Sequence, residues 1–195
     1  MKTPPKPDLG SKPEFKFKKK YHGSLRESEY YELNEIYAEL TLRILITKTK
    51  LPLEIEMQGI HGKGIVEGSN PLEARFDFRI YREIDNKTIA YVEATGDSLS
   101  DNLARILSEK LYKAKMIFEK ERIPVFFMYL KRKRDGSIRT IRIFNIYQLE
   151  KFGRKEKWLE DEKDYFVIEL KHGFTTRQFS KVIRDLYEFV RQVRS

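Results

Sequence analysis

The apolar positions of this chain change period several times, and each change marks an element. Phe76, Phe78 and Ile80 alternate with Asp77, Arg79 and Tyr81, the two-residue period of a half-buried strand. Asp85-Asn86-Lys87 supplies turn chemistry. Thr88–Ala94, TIAYVEA, is short, apolar and β-branched, as a core strand is. The stretch Glu73–Gly96 therefore predicts a hairpin, and the other elements are read around it. Upstream, Leu33, Ile36, Tyr37, Leu40 and Ile44 recur at helical spacing and predict a helix over 28–46, with Ser28 as its N-cap. By the same angular count Glu32 and Glu39 lie at the rim of that apolar face, and Glu35 points away from it. Leu51–Met57 alternates apolar with acidic residues and predicts a strand. Gly59–Asn70 is too glycine-rich for a firm element and reads as a loop able to close over a ligand, with His61 and Lys63 beside it.

Downstream, Leu103, Ile106, Leu107, Leu111, Ala114, Ile117 and Phe118 form the stripe of a helix from Leu99 to about Arg122, capped by Ser98 or Ser100. Lys110 falls inside this stripe and Lys113 at its edge. An ammonium there needs an anion or a route to water. Val125–Leu130 is a fully apolar strand, placed as in a strand–helix–strand crossover. Lys131–Arg134 with Asp135-Gly136 reads as a basic hairpin turn. Ile138–Tyr147 alternates again, and its polar face offers Arg139 and Arg142 to phosphates or to solvent. Lys151–Asp164, with the single Trp158, is charged and irregular. Tyr165–Leu170 is a short strand. Thr175 or Thr176 caps a last helix through Val193, whose apolar stripe packs on the body or on a second copy of the chain as a homodimer.

Composition narrows the class. The 195 residues suffice for one domain with a real core and leave little room for two. The alternation of strands and helices predicts a single α/β domain over 28–195, a mixed central β-sheet flanked by helices. Residues 1–27 read as a flexible basic arm. Pro4, Pro5, Pro7 and Pro13 break regular structure, and Lys16, Lys18, Lys19 and Lys20 interleave with Phe15 and Phe17. With no Cys, disulfides and thiolate metal sites are excluded. No apolar run approaches the ~18 residues of a membrane span and no signal pattern opens the chain, so no membrane partner and a cytoplasmic location are expected. The wealth of Lys, Glu, Arg and Ile suits a thermophile. The net charge is +9, of which the arm holds +5, and a basic balance favours an anionic partner, nucleic acid above all.

The chemistry concentrates in the hairpin. Asp77 sits among aromatics and Glu93 ends an apolar run. A carboxylate beside core residues is costly unless it is paired or holds a metal. Two on neighbouring strands can converge on one divalent cation.

The order helix, strand, loop, Asp strand, Glu strand, helix, apolar strand resembles the core of the PD-(D/E)XK nuclease superfamily over roughly Glu32–Leu130. Within it the chain is most similar to the small archaeal Holliday junction resolvases. The resemblance implies a restriction-endonuclease-like core, Mg2+ (or Mn2+) as cofactor, and DNA as partner. It implies Asp77 in the Asp role, preceded by Phe76 where the signature has Pro, and Glu93 in the (D/E) role. Glu32 or Glu39 takes the role of the helix Glu that joins them at the metal. The signature lysine position holds Thr95, so the resemblance points to Lys110, then Lys113, as the lysine recruited from the next helix. Arg79 and Thr95, flanking the acids, join His61, Lys63, Arg139 and Arg142 as candidate nucleic-acid contacts.

Three readings stay open on sequence. The first is a Mg2+-dependent DNA endonuclease hydrolysing phosphodiester bonds, with branched DNA of replication, repair or recombination among its substrates. The second is a non-catalytic nucleic-acid-binding protein on the same scaffold, favoured by Thr95 and the basic tail. The third is a structural or partner-docking protein in which Asp77 and Glu93 merely pair with Arg79 or Arg75.

Overall fold

A computed structural model describes residues 25–57, 76–97, 99–133, 137–157 and 163–192, with side chains from Leu33 onward. The basic arm to residue 24, the Gly59–Asn70 loop and the tip of the 131–136 turn lie outside the described residues. Helix α1 (Leu25–Thr49) leads into β1 (Leu53–Met57). The expected hairpin follows as β2 (Phe78–Arg82) and β3 (Thr88–Asp97). Its turn needs a positive φ of 55° at Asn86, which asparagine tolerates. Next come β4 (Leu103–Leu107), α2 (Ser108–Glu121), β5 (Val125–Arg132) and β6 (Ile138–Asn145). The chain continues through α3 (Ile146–Phe152), β7 (Arg154–Lys157), β8 (Asp164–Glu169) and α4 (Thr176–Gln192). Among the described residues no helix is long and apolar enough to cross a membrane.

The main sheet has the order β1-β2-β3-β5-β6, and β4-β8-β7 form a second, three-stranded sheet. Among the described strands only β3 and β5 run parallel; β4 and α2 make the crossover between them. This is the expected α/β class with a mixed central sheet. All eight residues of β5 are buried, as a central strand covered on both faces requires. Ala90, Val92, Ala94, Phe126, Met128 and Leu130 face α1 and α4, while Phe127, Tyr129 and Phe144 face α2, α3 and the small sheet.

Four expectations change. The helix expected from Leu99 begins only at Ser108, and neither Ser98 nor Ser100 caps it, because Leu107 holds the N-cap position. Leu103–Leu107 satisfies helical and alternating periods alike. Pairing with β8 (Ala104↔Ile168, Ile106↔Phe166) decides for the strand and overrides a helix-favouring composition. Secondly, α1 presents a different face. Asn34, Ala38, Leu42, Leu45, Ile46 and Thr49 are buried, whereas Ile36, Leu40 and Ile44 are about half exposed. The helix is apolar on two sides, so period alone could not choose. The small side chains of Asn34 and Ala38 let it approach β3 at Gly96. A Cβ on Gly96 would stand 2.2 Å from the Leu130 carbonyl oxygen and 3.2 Å from Asn34 Oδ1. Thirdly, Lys151–Asp164 is not irregular throughout: its first residues end α3, capped by a reciprocal Asn145–Gln148 box, and Arg154–Lys157 pairs with β8.

The fourth change is the largest. Lys131 and Arg132 do not open a solvated turn; they end β5, 0% and 1% exposed. The Lys131 ammonium donates to Asp97 Oδ1 at 2.6 Å, Asp101 Oδ1 at 2.8 Å and the Leu103 carbonyl at 3.1 Å. Arg105 bridges the same two carboxylates, and the Tyr129 hydroxyl donates to Asp97. Burial opposes the charge on Asp101, but hydrogen bonds from Arg105, Lys131 and the Leu103 N–H hold its carboxyl well below the usual range. Two cations against two carboxylates close a neutral network that ties the ends of β3 and β5 to β4. Removing one buried partner strands the others. Lys131→Met should therefore lower the unfolding free energy by about 3 kcal/mol in urea titrations at pH 7. A loss under about 1 kcal/mol would mean the network is not what holds these strand ends.

Candidate active site

The two hairpin acids meet at its open end. Phe78 pairs with Val92, so the next residues outward, Asp77 and Glu93, stand opposite one another. Asp77 lies at a bend between Phe76, packed against the Tyr91 ring, and Phe78, packed under α1. That bend frees its side chain to reach across, and Asp77 Oδ2 accepts the Ala94 N–H at 2.6 Å. Its partner is thus a backbone amide of β3, not Arg79. Glu93 is 7% exposed, and its Oε1 accepts a hydrogen bond from the Lys110 ammonium. Lys110 sits in the first turn of α2 and keeps about a third of its surface in water. The stripe position inferred from sequence had the right consequence: the ammonium found an anion.

Electrostatics single out this pair. Burial, then the Glu93 charge, push the Asp77 carboxyl up to about 7, against the Lys110 charge and the Ala94 N–H, which pull it down. Glu35 adds a smaller upward push, so its charge is felt at Asp77. Of the two described α1 acids, Glu35 and Glu39, it is Glu35 whose charge is felt at Asp77. Glu39 pairs instead with Arg43 at 2.8 Å on the helix surface, and the Glu32 side chain lies outside the described residues. The angular count that turned Glu35 away was measured from Ile36, Leu40 and Ile44, which are not the buried face. Asn34, next to Glu35, is 2% exposed and would have given the right origin.

The other candidates divide. Thr95 is half-buried on the same face of β3 as Glu93, opposite Tyr129. Lys113 is half-buried a turn beyond Lys110, with no ion pair among the described residues. Arg79 is held away from the acids by Glu56 at 2.9 Å, Thr88 at 2.7 Å and Asn86, with Tyr81 under its guanidinium. Arg139, at a bulge in β6, donates to the Ser100 carbonyl at 2.9 Å and remains exposed. Arg142 donates to Thr140 Oγ1 and the Ile141 carbonyl. His61 and Lys63 lie outside the described residues.

Two acidic clusters thus share one face of β3, and their charge balance differs. Around Asp97 the carboxylates are matched by cations. Around Asp77 and Glu93, among the described residues, the Lys110 ammonium faces two carboxyl groups. Among the described residues no three of His, Cys, Asp or Glu gather closely enough to cage a metal. The donor set fits a hard cation that keeps several waters and takes only one or two protein carboxylates, as Mg2+ does.

A pH dependence follows from Asp77. Its proton is held to about pH 7 in the metal-free fold but leaves near pH 4 in the unfolded chain. The native chain therefore carries the extra proton between those values. The stabilising contribution is complete below about pH 4 and is lost as pH rises through about 7. Asp77→Asn keeps an oxygen for the Ala94 N–H and removes the charge. It should exceed the parent in stability by about 2 kcal/mol at pH 8 in EDTA, and match it near pH 4. Equal stability of the two proteins at pH 8 would show that Asp77 carries no such penalty.

No family model matches the sequence, and no curated protein does. Solved structures do. A nuclease from a fusellovirus superposes with a TM-score of 0.55 at 16% identity, over 86% of this chain and 97% of that one. Hjc, a Holliday junction resolvase from Archaeoglobus fulgidus, superposes with a TM-score of 0.44 at 13% identity, over 73% of this chain and 96% of the other. The chain has the fold of the fusellovirus nuclease, in line with the nuclease-like core expected from the hairpin.

Proposed function

We propose that this chain is a divalent-metal-dependent endonuclease that hydrolyses phosphodiester bonds in DNA. The observation that carries the reading is the pairing of half-buried Asp77 with buried Glu93, side by side, with Lys110 as the described cation. Asp77 and Glu93, with Glu35 behind them, would hold Mg2+ or Mn2+. When bound, the ion supplies Lewis acidity at the scissile phosphate and makes water a better nucleophile. The Ala94 N–H fixes the Asp77 carboxylate toward the site. Lys110 takes the task of the signature lysine that Thr95 cannot perform: its ammonium offsets charge growing on the phosphoryl oxygens. Being one-third exposed on a helix end, it can swing from Glu93 toward a phosphate. Water attacks phosphorus, and the bond to the 3′ oxygen breaks, leaving 3′-OH and 5′-phosphate ends. The net charge of +9 and the exposed Arg139 support a polyanionic substrate. A branched duplex is the substrate form that the sequence resemblance favours.

A second reading keeps the fold for DNA binding alone. Thr95 at the signature lysine position, with Lys110 engaged by Glu93, favours it.

Labelled linear duplex, single-stranded and four-way-junction DNA, each incubated with Mg2+ or Mn2+ and with EDTA, separates the two. The parent should cut only with metal. Asp77→Asn and Glu93→Gln should abolish cutting while retaining the fold and DNA affinity. Lys110→Ala should slow it by about a hundredfold or more. Salt-sensitive binding with no cutting of any substrate would establish the second reading instead.

A further inference from the structure

We propose a stacking platform for unpaired nucleobases on α3, formed by Tyr147, Lys151 and Phe152 with His172; it rests on the DNA reading above. Tyr147 is 61% exposed and Phe152 43%. The Lys151 ammonium lies 5.3 Å from the Tyr147 ring centre and 5.2 Å from that of Phe152, so it sits between them. Phe152 stacks on the His172 ring at 4.4 Å, the planes 7° from parallel. The result is three aromatic rings in series with a cation against two of them, and the Tyr147 and Phe152 side chains are exposed to water.

The row is preorganised although α3 is short. Asn145 and Gln148 close the reciprocal box at its start. Gln148 Nε2 also donates to the His172 carbonyl at 2.8 Å, which fixes the histidine segment against α3. Lys115 on α2 pairs with Glu150 at 2.5 Å, which fixes α3 to the helix that carries Lys110. Leu149 anchors the inner side in the core. Rings held by so many ties lose little freedom on binding.

The chemistry selects the occupant. Aromatic faces beside ammonium groups take bases on the rings and phosphates on the cations, without regard to sequence. Lys155 and Lys157 on β7 are exposed, and Lys171, beside His172 in sequence, pairs with Glu169 at 2.8 Å. In an intact duplex the base faces are already stacked, so the platform fits only a single-stranded flank. Lys115, which ties α2 to α3, is five residues, about 7.5 Å along the helix axis, from Lys110.

The test measures binding in EDTA, so no catalysis is needed. A duplex with a short single-stranded overhang carrying 2-aminopurine is titrated beside the same duplex blunt-ended. The overhang should bind about tenfold tighter or better, with quenched 2-aminopurine fluorescence. Tyr147→Leu combined with Phe152→Leu should erase that preference, leaving Tm and blunt-duplex affinity unchanged, and Tyr147→Trp should keep it. Equal affinity of the parent for both duplexes, or a preference that survives the double leucine change, overturns the platform. Metal-dependent cutting without an overhang preference sinks the platform and spares the nuclease reading; an overhang preference without cutting does the reverse.

Discussion

The cost of burying carboxylates organises this molecule. Glu93 and Asp97 project from one face of β3 into a region sealed by α2 and the small sheet, where an uncompensated charge is not tolerated. The protein answers the same problem in two ways on one strand. At Asp97 it supplies a full set of counter-charges from β4 and β5, and the ends of three strands are locked together. At Glu93 the described residues supply one lysine and bring Asp77 alongside. The first arrangement is a closed network of matched charges; in the second, one described ammonium stands against two carboxyl groups.

Support and site are also mechanically continuous. Thr95 stands between Glu93 and Asp97, so the network at the strand end fixes the backbone that carries Glu93. Gly96, on the opposite face, lets α1 settle close enough for Glu35 to influence Asp77. A site held this way sits on rigid strands, as a constellation of two or three side chains needs.

Much of this could be read from the chain. The hairpin announced itself through alternation, and the misplaced acids Asp77 and Glu93 through their apolar neighbours. Lys110 could be reached because a helical count placed a cation on a core-facing position. The failures share one cause: local pattern cannot say which of two apolar faces is covered. For α1 it chose the face of Ile36, Leu40 and Ile44, whereas Asn34, Ala38 and Leu42 are the buried ones. For Leu103–Leu107 it exchanged strand for helix, since the deciding contact is with β8, about sixty positions later in sequence. Lys131 escaped because a lysine after an apolar run resembles the start of a solvated turn, and its partners lie 34 and 30 residues away.

The parallel pairing of β3 with β5 has a consequence for how the protein matures. Parallel neighbours need a crossover, so the pair forms only after β4 and α2 have been threaded between them. Such non-local contacts form late and slowly in folding. The floor beneath Glu93 is Phe127, and the clamp on Asp97 is Lys131, both supplied by β5. A nascent chain that ends before this strand has already exposed its hairpin acids, but they are not yet held in place. The surroundings of both acids are therefore complete only once the core itself is finished.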